Sequence, residues 1–307
     1  MSACPRTRNY IIVSPVKDEE PHIEVTIRSV LGQTLLPSRW IIVDDGSRDR
    51  SHEIAMKYSQ SFPWIQVIRL ARDSERQPGS AIIRAFTRGF DEVWNSDFDY
   101  IVKLDCDLKL LPDYFERLIE QFEQDERLGI ASGIYLEQNH NQWFPVKMPA
   151  YHAAGASKVV RKKCFADIGG FVPFRGWDTV DEIRAQLKGW RTGHFEDLKF
   201  CHLRAEGAGI GPLRTGIMLG EIYYLTGGGS LFFALKFFDR VVVGKPFLLG
   251  GLAMLWGYLR CRLRRRERLV TPEEARLYRK LLNGRIAARL GQMMGRTKPK
   301  QEAWSVG

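Results

Sequence analysis

Residues 40–58 read WIIVDDGSRDRSHEIAMKY and decide the fold of the first part of the chain. The apolar run Trp40–Val43 is long enough for a buried strand and stops abruptly at an acidic turn sequence. After it, Ser51–Tyr58 has the spacing of a helix. A strand followed at once by a helix is typical of a βα unit.

The same alternation continues on both sides of this stretch. In chain order it predicts strand Tyr10–Ser14, helix Ile23–Leu31, strand Ile65–Leu70, a helix over residues 79–94, strand Tyr100–Leu104, and a helix from Pro112 to Phe122. Strands separated by helices of this length form βαβ units. The sequence therefore predicts an α/β fold with a largely parallel central sheet.

Polar residues follow three of these strands at the point where each strand ends. The segment Pro15–Glu19 follows the first, Asp44–Ser47 the second and Asp105–Asp107 the third. In open parallel sheets, ligands bind outside the carboxyl ends of the strands. We therefore expect one binding site at that edge of the sheet.

The composition is that of an ordinary globular protein. The 307 residues are 44% hydrophobic and 27% charged, which is unlike a mainly disordered or fibrous chain. Five cysteines occur without any Cys-x-x-Cys pair, which argues against a disulfide framework and a structural zinc site. The first residues lack the long apolar run of a secretory signal, so we expect a cytoplasmic location.

The C-terminal part of the chain differs from the rest in charge and hydropathy. Residues 240–307 carry 16 Lys and Arg against 4 Asp and Glu, and Pro246–Leu259 has 14 residues without a charge. Because a spanning helix needs about 20 apolar residues, this run favours an interfacial or re-entrant helix over a single pass. Its flanking arginines, Arg260–Arg266, would bind an anionic membrane surface at the cytoplasmic face. The alternative is an internal helix pair that packs on the sheet and has a solvated basic face. The sequence contains no RNA-binding or DNA-binding motif, so we expect no nucleic acid partner.

Asp105 and Asp107 stand one residue apart at the end of a predicted strand. Residues i and i+2 of a strand point to the same side, where two carboxylates repel each other unless a cation lies near them. Mg²⁺ and Mn²⁺ take oxygen ligands and share them with substrate phosphates. The pair therefore indicates a metal site, and the alternative is a surface turn with two solvated aspartates.

Acids at the other two strand ends suit a nucleoside. Glu19, Asp44 and Asp45 can accept hydrogen bonds from a ribose or a base, and Gly46 permits a turn with positive φ. The alternatives are a carboxylate that complements a helix dipole for Glu19 and a capping turn for the aspartate pair.

Two candidates come later in the chain. Asp178 opens a predicted helix that ends at Gly189, so it can act as a general base, as the N-cap residue, or as both. His202 follows a predicted strand at Leu198–Cys201 and is a candidate metal ligand, although a lone histidine is more often structural.

In this order, the clusters resemble the inverting family 2 glycosyltransferases of GT-A fold, a Rossmann-like architecture. The matching stretches are SPVKDEE (14–20), SVLGQTLLPSRWIIVDDGSRDRS (29–51), YIVKLDCDLKLLPDYFERL (100–118), VVRKKCFADIGGFVPFRGWDTVDEIRAQLKGWRT (159–192) and DLKFCHLRAEG (197–207). The resemblance covers about residues 9–210, so we expect a transferase domain at 1–212 and a helical, partly amphipathic, membrane-associating region at 213–307.

The resemblance assigns a role to each cluster. It implies a nucleotide-sugar donor whose nucleoside is held by the first two clusters, a Mg²⁺ or Mn²⁺ ion on the third, and Asp178 as the catalytic base. The implied donor-binding residues are Pro15, Glu19, Asp44, Asp45 and Asp105, and the implied metal ligands are Asp105, Asp107 and His202. A lysine common near position 79 is absent, and Arg76 or Arg84 would carry the phosphate charge instead.

The chain departs from the family pattern at two points. Trp177 replaces the first acid of the family's Glu-Asp motif, and the Gln-x-x-Arg-Trp motif of the processive synthases is missing. The second departure implies addition of a single sugar, and the basic, aromatic C-terminal part suggests a lipid-linked acceptor used in the synthesis of a cell-surface polysaccharide or glycolipid. The first leaves a rival interpretation open, a catalytically inactive nucleotide-sugar-binding or regulatory protein of the same fold.

Overall fold

A computed structural model describes residues 8–71, 81–139, 142–204, 211–242 and 248–293. The chain divides into two compact units, residues 1–205 and 206–307. Arg76, one of the two expected phosphate-binding arginines, lies outside the described residues.

The first unit is built on one mixed sheet. The strands described are β1 (Tyr10–Val16), β2 (Arg39–Asp44), β3 (Ile65–Arg69), β4 (Tyr100–Leu104), β5 (Leu108–Leu110), β6 (Leu128–Asn139), β7 (Gln142–Pro145), β8 (Ser157–Arg161) and β9 (Arg191–His202). Their order across the sheet is β3-β2-β1-β4-β8-β6-β9-β5, and β7 pairs with β6. The helices of this unit are α1 (Ile23–Leu31), α2 (Ser51–Ser61), α3 (Ala81–Asp91), α4 (Tyr114–Gln124), α5 (Lys162–Asp167) and α6 (Trp177–Leu187).

The α/β class is confirmed, and the parallel part of the sheet is its N-terminal half. Strands β3, β2, β1 and β4 are parallel to one another, so the carboxyl ends of β1, β2 and β4 lie at one edge, as expected. Beyond β4 the pairing is mixed, because β8 runs antiparallel to β4 and to β6, whereas β6 and β9 are parallel.

Both faces of β1, β2 and β4 are buried, which explains why these strands are nearly continuous apolar runs. Alternate residues of β1 enter two different cores, Tyr10 and Ile12 on one face and Ile11 and Val13 on the other. The first core includes residues of α1 and α4, and the second includes residues of α3, α5 and α6. The sheet is therefore covered by helices on both sides.

The second unit consists of helices in its described ranges. These are α7 (Pro212–Leu225), α8 (Ser230–Val242), α9 (Leu249–Leu263) and α10 (Pro272–Met293). Glycines let α7 and α9 pack closely, since a Cβ atom at Gly220 would lie 1.9 Å from the carbonyl oxygen of Met254. None of the helices in the described ranges combines the length and hydropathy that a bilayer crossing requires.

Candidate active site

The loops after β1 and β2 are joined by hydrogen bonds from backbone to side chain. The N–H of Asp18 donates to Oγ of Ser47 (3.0 Å), and the N–H of Glu19 donates to Oγ of Ser51 (2.8 Å). Asp18 adopts the left-handed region (φ 54°), and so does Gly46 (φ 71°), as its expected turn requires. The two loops therefore hold Glu19 in a fixed place at the end of the sheet.

The carboxylate of Glu19 is buried at this edge. The side chain is 6% exposed; Oε1 forms an ion pair with Nη2 of Arg204, and Oε2 has no hydrogen-bond partner among the residues described. Burial, aided by the nearby Asp107 carboxylate and opposed by Arg204, raises the pKa of Glu19 to about 7. Such a group can accept a hydrogen bond or a proton near neutral pH.

Asp107 lies beside two basic side chains. Its Oδ2 lies 3.3 Å from Nε2 of His202 and 3.5 Å from Nε of Arg204. Although burial opposes ionisation, these cationic neighbours lower the pKa of Asp107, whereas Asp107 in turn raises the pKa of His202 against the effect of burial. The sheet brings His202 here because β9 ends beside Asp107, whose carbonyl accepts the N–H of Leu203 (2.8 Å).

Asp105 follows β4 and is held by a lysine from inside that strand. Nζ of Lys103 donates to Oδ1 of Asp105 (2.5 Å) and to the carbonyl oxygen of Gly155 (2.9 Å). Burial raises the pKa of Asp105 more than Lys103 lowers it. Both Asp105 and Asp107 raise the pKa of Glu19, so the three carboxylates lie within electrostatic reach of one another.

The donor set suits a divalent cation that is shared with a substrate. Oδ1 of Asp107 and Nδ1 of His202 are buried and make no hydrogen bond within the described ranges. In those ranges no group of three or more His, Cys, Asp or Glu side chains is arranged to hold a metal ion. Mg²⁺ is commonly bound through one or two carboxylates and completed by substrate phosphates, so a partial protein site fits it. His202 must lose its proton before it can be a ligand.

Asp178 lies in the first turn of α6 and is partly exposed. Gly176, with φ 85°, is the N-cap residue, so the interpretation of Asp178 as the N-cap is wrong. The buried ammonium of Lys158 donates to the backbone oxygen of Asp178 (3.0 Å) and to the carboxylate of Asp181 (3.0 Å). The start of the helix is thereby anchored to β8, the strand next to β4.

Gly155 lies between Asp178 and the acids that follow β4. Its carbonyl accepts the hydrogen bond from Lys103, and a Cβ atom at Gly155 would lie 3.6 Å from the Cβ of Asp178. Asp105 and Asp178 are thus separated by one lysine and one glycine. The acids that the sequence placed in separate clusters meet at one edge of the sheet.

The two aspartates at the end of β2, Asp44 and Asp45, have different surroundings. Asp44 is fully buried: Oδ1 accepts the N–H of Ser47 (2.8 Å), and Oδ2 lies 3.2 Å from both Nδ1 of His52 and Nε of Arg69. Asp45 is partly exposed, and its Oδ2 lies 3.5 Å from Nζ of Lys17. In this structure Asp44 caps the turn, which was one of its two interpretations, and Asp45 is the acid that a ligand can reach.

Two further expected site residues, Pro15 and Arg84, lie in the described part of the chain. Pro15 is buried within β1, and Arg84 is exposed on α3. Sequence reasoning gave no role to Arg204 or Lys103. Their signals were present: Arg204 stands two residues after His202, and Lys103 is the one charge in an otherwise apolar predicted strand.

Part of this chain is similar in sequence to known proteins. The family model described as Glycosyl transferase family 2 matches residues 11–175. An uncharacterized glycosyltransferase, EpsJ, of Bacillus subtilis is 32% identical over 133 residues, which are 43% of this chain and 36% of that protein. The undecaprenyl-phosphate 4-deoxy-4-formamido-L-arabinose transferase of Pectobacterium carotovorum is 32% identical over 120 residues, 38% of this chain and 34% of that protein. The matched part thus spans about a third of these curated relatives.

A solved structure shows the same fold. The mannosyltransferase of Pyrobaculum calidifontis, in complex with GDP-Man and Mn²⁺, superposes with a TM-score of 0.52 at 15% identity, over 94% of this chain and 88% of that chain. The α/β architecture of this chain is therefore that of GT-A glycosyltransferases.

Proposed function

Because the chain belongs to glycosyl transferase family 2, we propose that it transfers a single sugar from a nucleoside-diphosphate sugar to an acceptor hydroxyl, with inversion and with a divalent cation. The observation that carries this proposal is that Glu19, Asp105 and Asp107 lie within electrostatic reach of one another at the carboxyl ends of the parallel strands, while Gly155, which accepts the hydrogen bond from Lys103, lies beside Asp178. In the alternative, the same edge binds the donor and no transfer follows.

The donor side of the proposed site lies along β1, β2 and β4. Glu19 and Asp45 would accept hydrogen bonds from the nucleoside, and Asp107, with Asp105 and His202, would hold the cation and through it the diphosphate. A bound divalent cation supplies positive charge that stabilises the departing nucleoside diphosphate. Arg204 adds a half-exposed guanidinium at the same edge and would face the phosphates, the role first expected of Arg76 or Arg84.

The acceptor side is the first turn of α6. Asp178 would take the proton of the acceptor hydroxyl as its oxygen attacks the anomeric carbon, and the configuration of the sugar would invert because no enzyme nucleophile intervenes. Lys158 holds the backbone of Asp178, so the carboxylate projects from a fixed helix end.

Replacing Asp178 with asparagine tests the proposed base. The change keeps the shape of the side chain and removes its basicity, so we expect donor binding within about twofold and transfer reduced by about 10²–10⁴-fold. Donor affinity is measured by calorimetry and transfer by release of nucleoside diphosphate. The exposed acid Asp197, changed to asparagine, is the control. Transfer at the unchanged rate in Asp178→Asn would remove Asp178 from the mechanism, and an unchanged protein that binds a donor without transferring it would favour the alternative.

We further propose that the acceptor is linked to a lipid, in the synthesis of a cell-surface polysaccharide or glycolipid. One relative is named as a transferase that acts on undecaprenyl phosphate. In the second unit, α9 presents a row of exposed apolar side chains at positions that share one helical face: Leu249, Leu252, Trp256, Leu259 and Leu263. Trp256 is 56% exposed and Leu263 is 76% exposed.

Arginines stand at the end of this apolar face. Arg262 and Arg264–Arg266 are all exposed, and α8 adds exposed Leu231, Leu235 and Phe238 to the unit's apolar surface. Apolar side chains that enter the acyl boundary beside cations that bind headgroups are the features of a helix lying in an anionic membrane surface. The proposed location is accordingly the cytoplasmic face of the cell membrane.

Vesicle binding tests the membrane proposal. The full chain should sediment with vesicles of phosphatidylcholine and phosphatidylglycerol and much less with phosphatidylcholine alone. Changing Arg264–Arg266 to glutamine should weaken that binding by about 100-fold, at about 1 kcal/mol for each arginine. Trp256→Ser should weaken it as well, whereas Trp94→Ser, at an exposed site of the first unit, should not. Equal binding by all variants, or none by the unchanged protein, would contradict the proposal and favour a protein partner for this face.

A further inference from the structure

Trp177 occupies the position at which the family pattern has an acid, and its surroundings show what the indole contacts. The side chain is 8% exposed, and two ammonium groups lie over its ring: Nζ of Lys158 at 5.0 Å and Nζ of Lys103 at 5.4 Å from the ring centre. Both lysines are buried, at 2% exposure or less. A cation within about 6 Å of an indole centre is attracted by the negative face of the ring, and the attraction increases when water is excluded.

The two lysines lead to opposite sides of the proposed site. Lys103 donates to Oδ1 of Asp105 at 2.5 Å, on the donor side. Lys158 donates to the backbone oxygen of Asp178 at 3.0 Å, on the acceptor side. The indole is thus the shared contact of two cations, each of which holds one of the acids that the reaction would use.

Packing fixes the ring in this position. The centres of the Phe171 and Trp177 rings are 4.8 Å apart, and a Cβ atom at Gly155 would lie only 3.3 Å from the indole. The carbonyl of Gly155 also accepts the hydrogen bond from Lys103. The ring therefore packs against Phe171 and against the loop at Gly155 that also holds Lys103.

We propose that Trp177 is a positioning residue. Its ring holds Lys103 and Lys158, and through these two lysines it fixes the distance between the carboxylates of Asp105 and Asp178. Its use in the reaction rests on the proposed function. An acid at this position would add a negative charge beside Asp178, next to the carboxylates of Asp181 and Glu182 that already face Lys158. The indole attracts both ammonium groups without adding net charge, so it leaves Asp178 without another acid beside it.

Fluorinated tryptophans at position 177 separate this electrostatic role from packing. Successive fluorine atoms weaken the negative face of the indole and change its shape very little. In the full-length protein we expect kcat to fall in steps along the mono-, di- and trifluoro series, by about tenfold in total. The KM for the donor should stay within about twofold. Trp177→Phe should retain more activity than Trp177→Leu, because only phenylalanine keeps an aromatic face. The same series at the exposed Trp94 is the control and should leave kcat unchanged.

A spectroscopic measurement tests the geometry without relying on activity. In protein labelled with ¹³C-lysine, the ε-methylene signals of Lys103 and Lys158 should be shifted upfield by the ring current. The shift should be kept in Trp177→Phe and lost in Trp177→Leu. The absence of that shift, or a kcat that is the same throughout the fluorine series, would overturn the proposal. An unchanged protein with no transferase activity but with both signals upfield would overturn the proposed function and support the contact of the lysines with the ring.

Discussion

Replacing Glu19 with glutamine should stabilise the folded protein at pH 8 and have almost no effect on stability at pH 4. The Glu19 side chain is 6% exposed, and burial and the Asp107 carboxylate raise its pKa from 4.5 to about 7. In the unfolded chain the pKa returns to about 4.3. Between these two values the folded state binds more protons than the unfolded state, so its stability falls as the pH rises and stays reduced above pH 7.

The size of this effect follows from the two pKa values. A rise from 4.5 to about 7 corresponds to a cost of about 3 kcal/mol for the ionised form in the folded state. Water that reaches the half-exposed Arg204 partner screens these charges, so we expect a measured gain of about 1–3 kcal/mol at pH 8. Glutamine is neutral at every pH and keeps an oxygen that can accept from Arg204, so the gain should approach zero near pH 4.

Unfolding in urea at pH 4, pH 5 and pH 8, in the same salt, measures the difference between Glu19→Gln and the unchanged protein. Glu20→Gln, at the adjacent and less buried residue, controls for the loss of one negative charge. The reasoning is refuted if the gain from Glu19→Gln at pH 8 is no larger than at pH 5, or if the variant is less stable at pH 8. The same variant should bind the donor more weakly, since Glu19 is proposed to contact the nucleoside.

Two further predictions concern stability alone. Lys158→Met should destabilise the first unit by about 3–5 kcal/mol, because it leaves the buried carboxylate of Asp181 without its cation and removes one basic partner of Glu182, which keeps His152 at 3.0 Å. The exposed Lys163→Met should change stability by less than about 0.5 kcal/mol. A thermal shift of equal size for both variants would contradict the buried ion pairs. Gly220→Ala should destabilise the second unit, because its Cβ would lie 1.9 Å from the carbonyl oxygen of Met254, whereas Gly284→Ala, in open space on α10, should stabilise it by about 0.5–1 kcal/mol. If the melting temperatures of Gly220→Ala and Gly284→Ala shift in the same direction, the close approach of α7 and α9 is contradicted.

The first half of the fold could be predicted because its information is local. Each of β1, β2 and β4 is a short apolar run that ends in polar residues, and the period of the following helix is visible in the sequence. The mixed pairing of β8, β6 and β9 could not be predicted in the same way, because it depends on contacts between residues far apart in the chain. An internal helix pair was kept as an alternative for this region, but the close approach of α7 to α9 at Gly220 could not be predicted, for the same reason.

The candidate site was predicted in part. The acids at the strand ends could be found from position and charge, but which acid is buried depends on its neighbours. Asp44 and Asp45 are adjacent in sequence, yet only Asp44 is surrounded by Ser47 and two side chains from later elements. Lys103 is a further case: a charge inside an apolar strand is tolerated because Asp105 and Gly155 accept its hydrogen bonds, and Gly155 comes from a distant loop.

The most direct test of the proposed donor and cation site is a thermal-shift screen of nucleoside-diphosphate sugars. The screen is run with and without Mn²⁺, on the unchanged protein and on Asp107→Asn. We predict that one class of donor raises the melting temperature of the unchanged protein when Mn²⁺ is present and that most of this rise is lost in the variant, since Asp107 has a buried oxygen that is free to meet the cation. A melting temperature that no donor changes, or an equal rise in both proteins, would contradict the account.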